Sequence, residues 1–203
     1  MVLSELRSAF ERLPGPLPNY NLLHAILLML ALEEGPCGRK RISSIISLGE
    51  GSARSLINKL RDLKWIDCGK EGCFLTPLGR EKIEELRRCL LGPMKVSLME
   101  LFRGDVYLTL VRCVNYLDIL DLRDEAVRFG GKGALIFAVR GKRVIFPETG
   151  EDLSIYAPND SKLLESLGAS DGDLIIIGLS EDPQISKLSS LGASLLAIQG
   201  PRK

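Results

Sequence analysis

Arg54, Ser55, Asn58, Lys59 and Arg61 lie within eight residues of one another, and every one carries a side-chain hydrogen-bond donor. Arginine pairs with guanine and asparagine with adenine through two hydrogen bonds each, while lysine suits a phosphate. Interleaved with these donors are Leu56, Ile57, Leu60 and Leu63 at helical spacing. That spacing predicts a helix from about Ser52, whose hydroxyl can cap the first turn, with the donors opposite a narrow apolar face. The donor face reads either as a nucleic-acid contact or as an ordinary solvated surface.

The flanking segments bear on that choice. Upstream, Asn21 can cap an almost wholly apolar helix, Leu22–Glu34, and Arg39-Lys40-Arg41 leads into a short helix over 41–48, ended by the Gly49–Gly51 turn. Cations at a helix start oppose its dipole, so Arg39 and Arg41 are candidates for phosphate contact, solvent exposure being the plainer reading. Downstream, Trp65–Cys68 and Cys73–Thr76 bracket the loop 69–72, which predicts a β-hairpin with Lys70 at its tip. Thr76-Pro77 then opens a helix reaching about Leu91, before Gly92-Pro93 breaks the chain. The only histidine, His24, reads as a packed or boundary residue of its apolar helix. Near the start, Leu3, Leu6, Phe10 and Leu13 form one helical stripe, stopped by the proline-rich stretch 14–18. That helix serves either a dimer contact or packing on its own domain.

The order of long helix, short helix, turn, basic helix, hairpin and helix resembles the winged helix-turn-helix domains of bacterial and archaeal transcription regulators. The likeness runs over Arg41 to Glu85 and is carried by the glycine turn, Arg54-Ser55-Leu56-Ile57, Trp65-Ile66 and Leu75-Thr76-x-x-Gly79. The expected contacts then start at Ser52, with Arg54, Ser55 and Asn58 nearest the bases, Lys59, Arg39 and Arg41 on phosphates, and Lys70 at the wing tip on the backbone or an adjacent minor groove. Overall charge is +1, with 45% hydrophobic and 26% charged residues, an ordinary globular composition. Between Arg39 and Lys64, however, seven cations face only Glu50 and Asp62, which places positive charge where a phosphate backbone would need it.

The expected division is a winged domain over 1–93 and an α+β domain over 94–203. In the second, Val106–Arg112, Ala134–Arg140, Arg143–Phe146, Asp173–Leu179 and Leu195–Gln199 are expected strands, with Gly141-Lys142 as a two-residue hairpin turn. Helices over 124–129, 161–167 and 183–191 each run into a Gly-Ala pair and a strand, which suggests a sheet with helices on one side. This layout, with Leu122-Arg123-Asp124-Glu125-Ala126-Val127, Gly131-Lys132-Gly133-Ala134 and Phe146-Pro147, resembles a group of mostly uncharacterised archaeal two-domain proteins. Their C-terminal half is similar to the GAD domain, a module also found in some aspartyl-tRNA synthetases and tRNA-dependent amidotransferases. The resemblance implies an α+β fold and brings no catalytic residues.

No enzyme is expected. One histidine precludes a histidine cluster, and no GxSxG, Walker A or GxGxxG stretch occurs. No CxxC pair is present, so neither a metal nor another cofactor is expected. Arg123, Asp124 and Lys132, near the Gly130–Gly133 turn, could line a small-molecule pocket or simply pair with their neighbours. Cys68 and Cys73 lie opposite each other if residues 69–72 form the loop, and could be bridged; two free thiols are the default inside a cell. No signal peptide or membrane-spanning run is visible, so a cytoplasmic location is expected. The expected function is a sequence-specific double-stranded DNA-binding regulator, a homodimer, with the second domain dimerising or sensing a ligand. A protein- or RNA-associated adaptor is the alternative.

Overall fold

The computed structural model describes residues 2–11 and 19–200 and divides into two units, Met1–Arg87 and Arg88–Lys203. The helix expected to reach Leu91 ends at Cys89, and Leu90–Leu98 is a strand. The fold is α+β, with helices dominating the first unit and a five-stranded sheet organising the second.

Unit 1 runs α1 (Val2–Glu11), α2 (Leu22–Glu33), α3 (Arg39–Ile46), α4 (Glu50–Asp62), β1 (Ile66–Gly69), β2 (Gly72–Leu75) and α5 (Pro77–Cys89), the last helix crossing into unit 2. Leu13 and the proline-rich stretch 14–18 lie outside the described residues. Helix α2 is buried on most of its circumference and begins with a reciprocal cap. Asn21 Oδ1 accepts from the Leu23 and His24 N–H groups, and the Asn21 N–H donates to His24 Nδ1 at 3.2 Å. Burial holds the His24 imidazole below its ordinary pKa.

Two local expectations are corrected here. The turn ending α3 is made by Ser47, in the left-handed conformation, whereas Gly49 takes an ordinary negative φ and becomes the N-cap of α4. Ser52 therefore lies inside α4 and caps nothing; Glu50 in the first turn and Lys59 and Arg61 in the last suit the helix dipole instead. The hairpin turn is two residues, Lys70-Glu71, because Gly69 and Gly72 pair with each other as the last rung of the ladder.

Unit 2 continues with β3 (Leu90–Leu98), β4 (Gly104–Val111), α6 (Ile119–Arg128), β5 (Ala134–Arg140), β6 (Arg143–Ile145), α7 (Pro158–Glu165), β7 (Leu174–Gly178) and α8 (Pro183–Gln199). The sheet order is β3-β4-β7-β5-β6, antiparallel throughout. Gly141 and Lys142 both take positive φ, as a tight two-residue hairpin requires. The expected strand Leu195–Gln199 is the last part of α8, so the third helix-Gly-Ala-strand unit does not exist.

Helices cover both faces of the sheet, not one. Leu108, Leu110, Phe137, Val139, Ile175 and Ile177 form one core with Leu153, Ala157 and Leu164, from a 3-10 turn and α7. Asp160 ties that layer down: its carboxylate accepts from the Met99, Glu100 and Leu101 N–H groups at 2.8–3.0 Å. On the other face α8 approaches closely through Ser186, Ser189, Ser190, Ala193 and Ser194, all buried. The Tyr107 N–H donates to Ser186 Oγ, which donates to Gly178 O, both at 2.7 Å, so one hydroxyl joins β4, β7 and α8.

Gly178 marks where α8 touches the sheet, since an added Cβ would lie 2.2 Å from Ser186 O. Gly178→Ala is expected to destabilise the protein by about 2–3 kcal/mol, whereas at Gly104 an added Cβ meets only Phe102 ring atoms at 3.7 Å, so Gly104→Ala serves as the control in the same chemical-denaturation series. His24 gives a pH dependence. Its folded pKa lies below the unfolded value of about 6.5, so the unfolded chain binds more protons and stability is lost as pH falls through and below that value. The melting temperature is expected to fall between about pH 7 and pH 5; His24→Gln, which keeps an acceptor at the third helical position, is expected to flatten that slope.

Candidate nucleic-acid interface

Helix α4 buries Ala53, Leu56, Ile57 and Leu60, spaced i, i+3, i+4, i+7. The opposite face therefore presents Arg54, Asn58 and Arg61, all exposed and related by i, i+4, i+7. Ser55 is exposed beside them, its hydroxyl donating to Gly51 O within the helix at 3.1 Å. Ser52 is half-buried on the same helix. Arg39 and Arg41 stand exposed at the start of α3, and Lys70 is exposed at the hairpin tip. Among the described residues, the side chains of Arg39, Arg41, Arg54, Asn58 and Lys70 make no hydrogen bond or ion pair within the protein.

Lys59 departs from the expected arrangement. It is half-buried, with its ammonium 5.2 Å from the centre of the Phe10 ring on α1. A cation held over an aromatic face is already partnered, and Lys59 points away from the Arg54–Asn58 face.

Arg61 stands on the donor face that helical spacing predicts, and it belongs to the site although no DNA contact is expected of it from the sequence. Its Nε donates to Asp67 Oδ1 at 3.3 Å, joining α4 to β1. Both side chains are about half exposed, so the pair contributes at most about 1 kcal/mol. Asn58, Arg61, Asp62, Lys64, Ile66, Asp67 and Thr76 line an open cleft of about 510 Å³ between α4 and the hairpin. Thr76 anchors its floor: Oγ1 donates to Lys64 O at 2.6 Å and accepts from the Gly79 N–H at 3.0 Å. The cleft depends on how the chain turns after α4, where Lys64 takes a left-handed φ of 59°, a feature invisible in residue spacing.

Cys68 and Cys73 are bridged. Cys73 exchanges both backbone hydrogen bonds with Cys37 on its other side, so its register with Cys68 is the non-hydrogen-bonded one, where side chains approach most closely. A second bridge, Cys89–Cys113, was not anticipated. It became readable only with β3 in place, since Leu90 pairs with Val111 and brings Cys89 beside Cys113.

The residues considered for a small-molecule pocket go separate ways. Arg123 faces Glu148 at 3.6 Å, Lys132 pairs with Glu181 at 2.7 Å, and Asp124 is exposed. The bond from Lys132 holds the Glu181 carboxyl below its ordinary pKa. The N–H groups of Gly130, Gly131 and Lys132 donate to Val127 O, Ala126 O and Leu179 O, so this glycine turn is closed on the protein itself. Among the described residues no group of three His, Cys, Asp or Glu side chains is placed to hold a metal ion, and no helix is long and apolar enough to cross a membrane.

An α+β chain with a helical, hairpin-bearing first unit and an antiparallel-sheet second unit is the class that this fold defines. Two family descriptions match it: "PH0730-like, N-terminal domain" over residues 22–82 and "Domain of unknown function (DUF4443)" over residues 106–198. The hypothetical protein PH0730 from Pyrococcus horikoshii OT3 is 31% identical, with a TM-score of 0.77 over 88% of this chain and 93% of that one. The chain belongs to the family of PH0730-like two-domain proteins. The Agobacterium tumefaciens repressor BlcR aligns over 87% of this chain and 96% of its own, but at 10% identity and a TM-score of 0.28. No curated protein matches the chain.

Proposed function

We propose that unit 1 is a winged helix-turn-helix that binds double-stranded DNA, and that the protein is a sequence-specific transcription regulator. The observation that carries the reading is the face of α4. Arg54 and Asn58 are exposed one turn apart with no partner in the protein, and Arg39, Arg41 and Lys70 stand exposed and unpaired on the neighbouring elements. In this reading α3 and α4 are the helix-turn-helix, α4 enters the major groove, and the β1–β2 hairpin is the wing. Arg54 and Asn58 read base edges; Arg39, Arg41 and Lys70 meet phosphates; Arg61 shares itself between Asp67 and the backbone of the duplex. Unit 2, in the same proposal, is a GAD-like dimerisation or ligand-sensing domain, and the protein acts without catalysis.

Salt-dependent titration of sheared genomic DNA, and of any site recovered from it, tests the reading. Arg54→Ala is expected to relax sequence preference by about 1–3 kcal/mol per base pair read. Arg41→Ala is expected to weaken all sequences alike and to lower the salt slope by about one unit. Lys59→Ala is expected to leave the slope unchanged, because its ammonium sits over Phe10. A wild type without salt-dependent affinity would remove the DNA reading and leave the adaptor in its place. Two half-sites call for two reading heads, so the assembly is expected to be a dimer. Light scattering at the titration concentrations checks this: a monomer would remove the dimer and leave the DNA contact standing.

A further inference from the structure

Three of the five cysteines meet in unit 1. Cys73, on β2, is flanked on one side by Cys68, its partner in the β1–β2 ladder, and on the other by Cys37, its partner in an isolated antiparallel bridge. Directly paired residues of neighbouring antiparallel strands project from the same face. The three side chains therefore stand in a row on one face, with Cys73 in the middle. Cys73 is bridged to Cys68, and Cys37 is a buried free thiol.

The two flanking positions are equivalent in one respect. The Cys37–Cys73 pair exchanges N–H···O bonds of 2.8 and 2.9 Å, the hydrogen-bonded register. That register holds Cα atoms about 5.5 Å apart, inside the range that a protein disulfide spans. Cys37 is held there firmly, because a Cβ added to Gly72 would lie 2.6 Å from its carbonyl carbon and oxygen. Either neighbour thus lies within the Cα range of a bridge to Cys73 in the existing strand register, Cys37 closing the last of the gap by side-chain rotation.

We propose that Cys37, Cys73 and Cys68 form a thiol–disulfide exchange site, in which the bridge passes from Cys68–Cys73 to Cys37–Cys73. The Cys37 thiolate attacks Cys73 Sγ, the Cys73–Cys68 bond breaks, and Cys68 leaves as a thiolate. Cys68 takes up the proton that Cys37 gave to solvent, so no oxidant or reductant is consumed. The exchange moves the staple from the hairpin's own two strands to the join between hairpin and the segment before α3. It leaves a free thiol on Cys68, which is only half-buried. Burial pushes the Cys37 thiol up while the Arg41 guanidinium pulls it back, so the exchange runs faster in alkali and keeps rising past the ordinary thiol range. The site is independent of what the face of α4 binds.

The test is irreversible trapping. Wild-type protein is held without reductant at pH 8 with excess iodoacetamide, and its peptides are mapped under non-reducing conditions. The expected products are alkylated Cys68 together with a Cys37–Cys73 bridge, accumulating with time, while Cys89–Cys113 stays intact. Cys37→Ala is expected to abolish the labelling of Cys68. Labelling at Cys37 alone, or equal labelling of Cys68 in Cys37→Ala, would overturn the proposal. Cys68→Ser provides a second route that does not depend on the folding of Cys37→Ala. Treated with oxidised glutathione, it is expected to yield a Cys37–Cys73 bridge. Glutathione adducts or free thiols at both positions, with no bridge, would end the idea.

Discussion

Both units are organised by backbone that comes closer than a side chain would permit. In unit 1, α5 passes over the connection from α4 to β1 so tightly that a Cβ on Gly79 would sit 1.9 Å from Trp65 O. The approach lets Thr76 bond to both Lys64 O and Trp65 O, and so sets the angle at which the hairpin leaves α4. In unit 2, Gly178 does the same for α8, and Ser186 uses the gap to join two strands and a helix through one hydroxyl. Each glycine adopts an ordinary backbone conformation, so its role lies in the missing Cβ and not in conformational freedom.

Much of the fold was legible because its elements keep one exposed face. The stripe Leu56, Ile57, Leu60 and Leu63 predicts α4, although Leu63 proves to be its C-cap and Ala53 completes the buried face, and Ala134–Arg140 and the Gly141-Lys142 turn are where β-propensity and turn chemistry set them. The failures share a cause. Helix α8 is buried almost all round, so its apolar residues show no periodicity, and Leu195–Gln199 imitates a strand. Its serines satisfy themselves inside: Ser194 Oγ donates to Ser190 O one turn back, and Thr109 bonds to Ser194. Strand β3 was hidden by Gly92-Pro93, which reads as a break. It falls instead at a register shift between Leu91 and Met94 on an edge strand, where proline is tolerated.

The candidate site divides along the same line. Arg54 and Asn58 follow from helical spacing alone, because among the described residues neither side chain is bonded to another element. The fate of Lys59 depends on Phe10, forty-nine residues away in sequence, and that of Arg61 depends on where β1 lies. Ser52 is a good capping residue by type, yet the helix starts two residues earlier, where Glu50 meets its positive end. Side chains whose partners come from other elements could not be assigned before those elements were positioned.

Charge pairing in unit 1 is selective. Lys82 bonds to Glu5 and Arg87 to Glu33, each at 2.7 Å, and Arg61 faces Asp67. These pairs neutralise cations at the back and flank of the unit. Arg39, Arg41 and Arg54 are left without carboxylates, and the first two stand at the positive end of α3, whose N-cap Gly38 supplies no side-chain acceptor. A cation there costs about 0.3–1 kcal/mol against the helix dipole, so the unit carries an electrostatic demand that folding alone does not meet. Surface solvation accommodates such a cost one residue at a time. Three unpaired guanidinium groups on two successive helices, beside an unpaired Asn58, are what the proposed DNA contact would satisfy with regularly spaced phosphates.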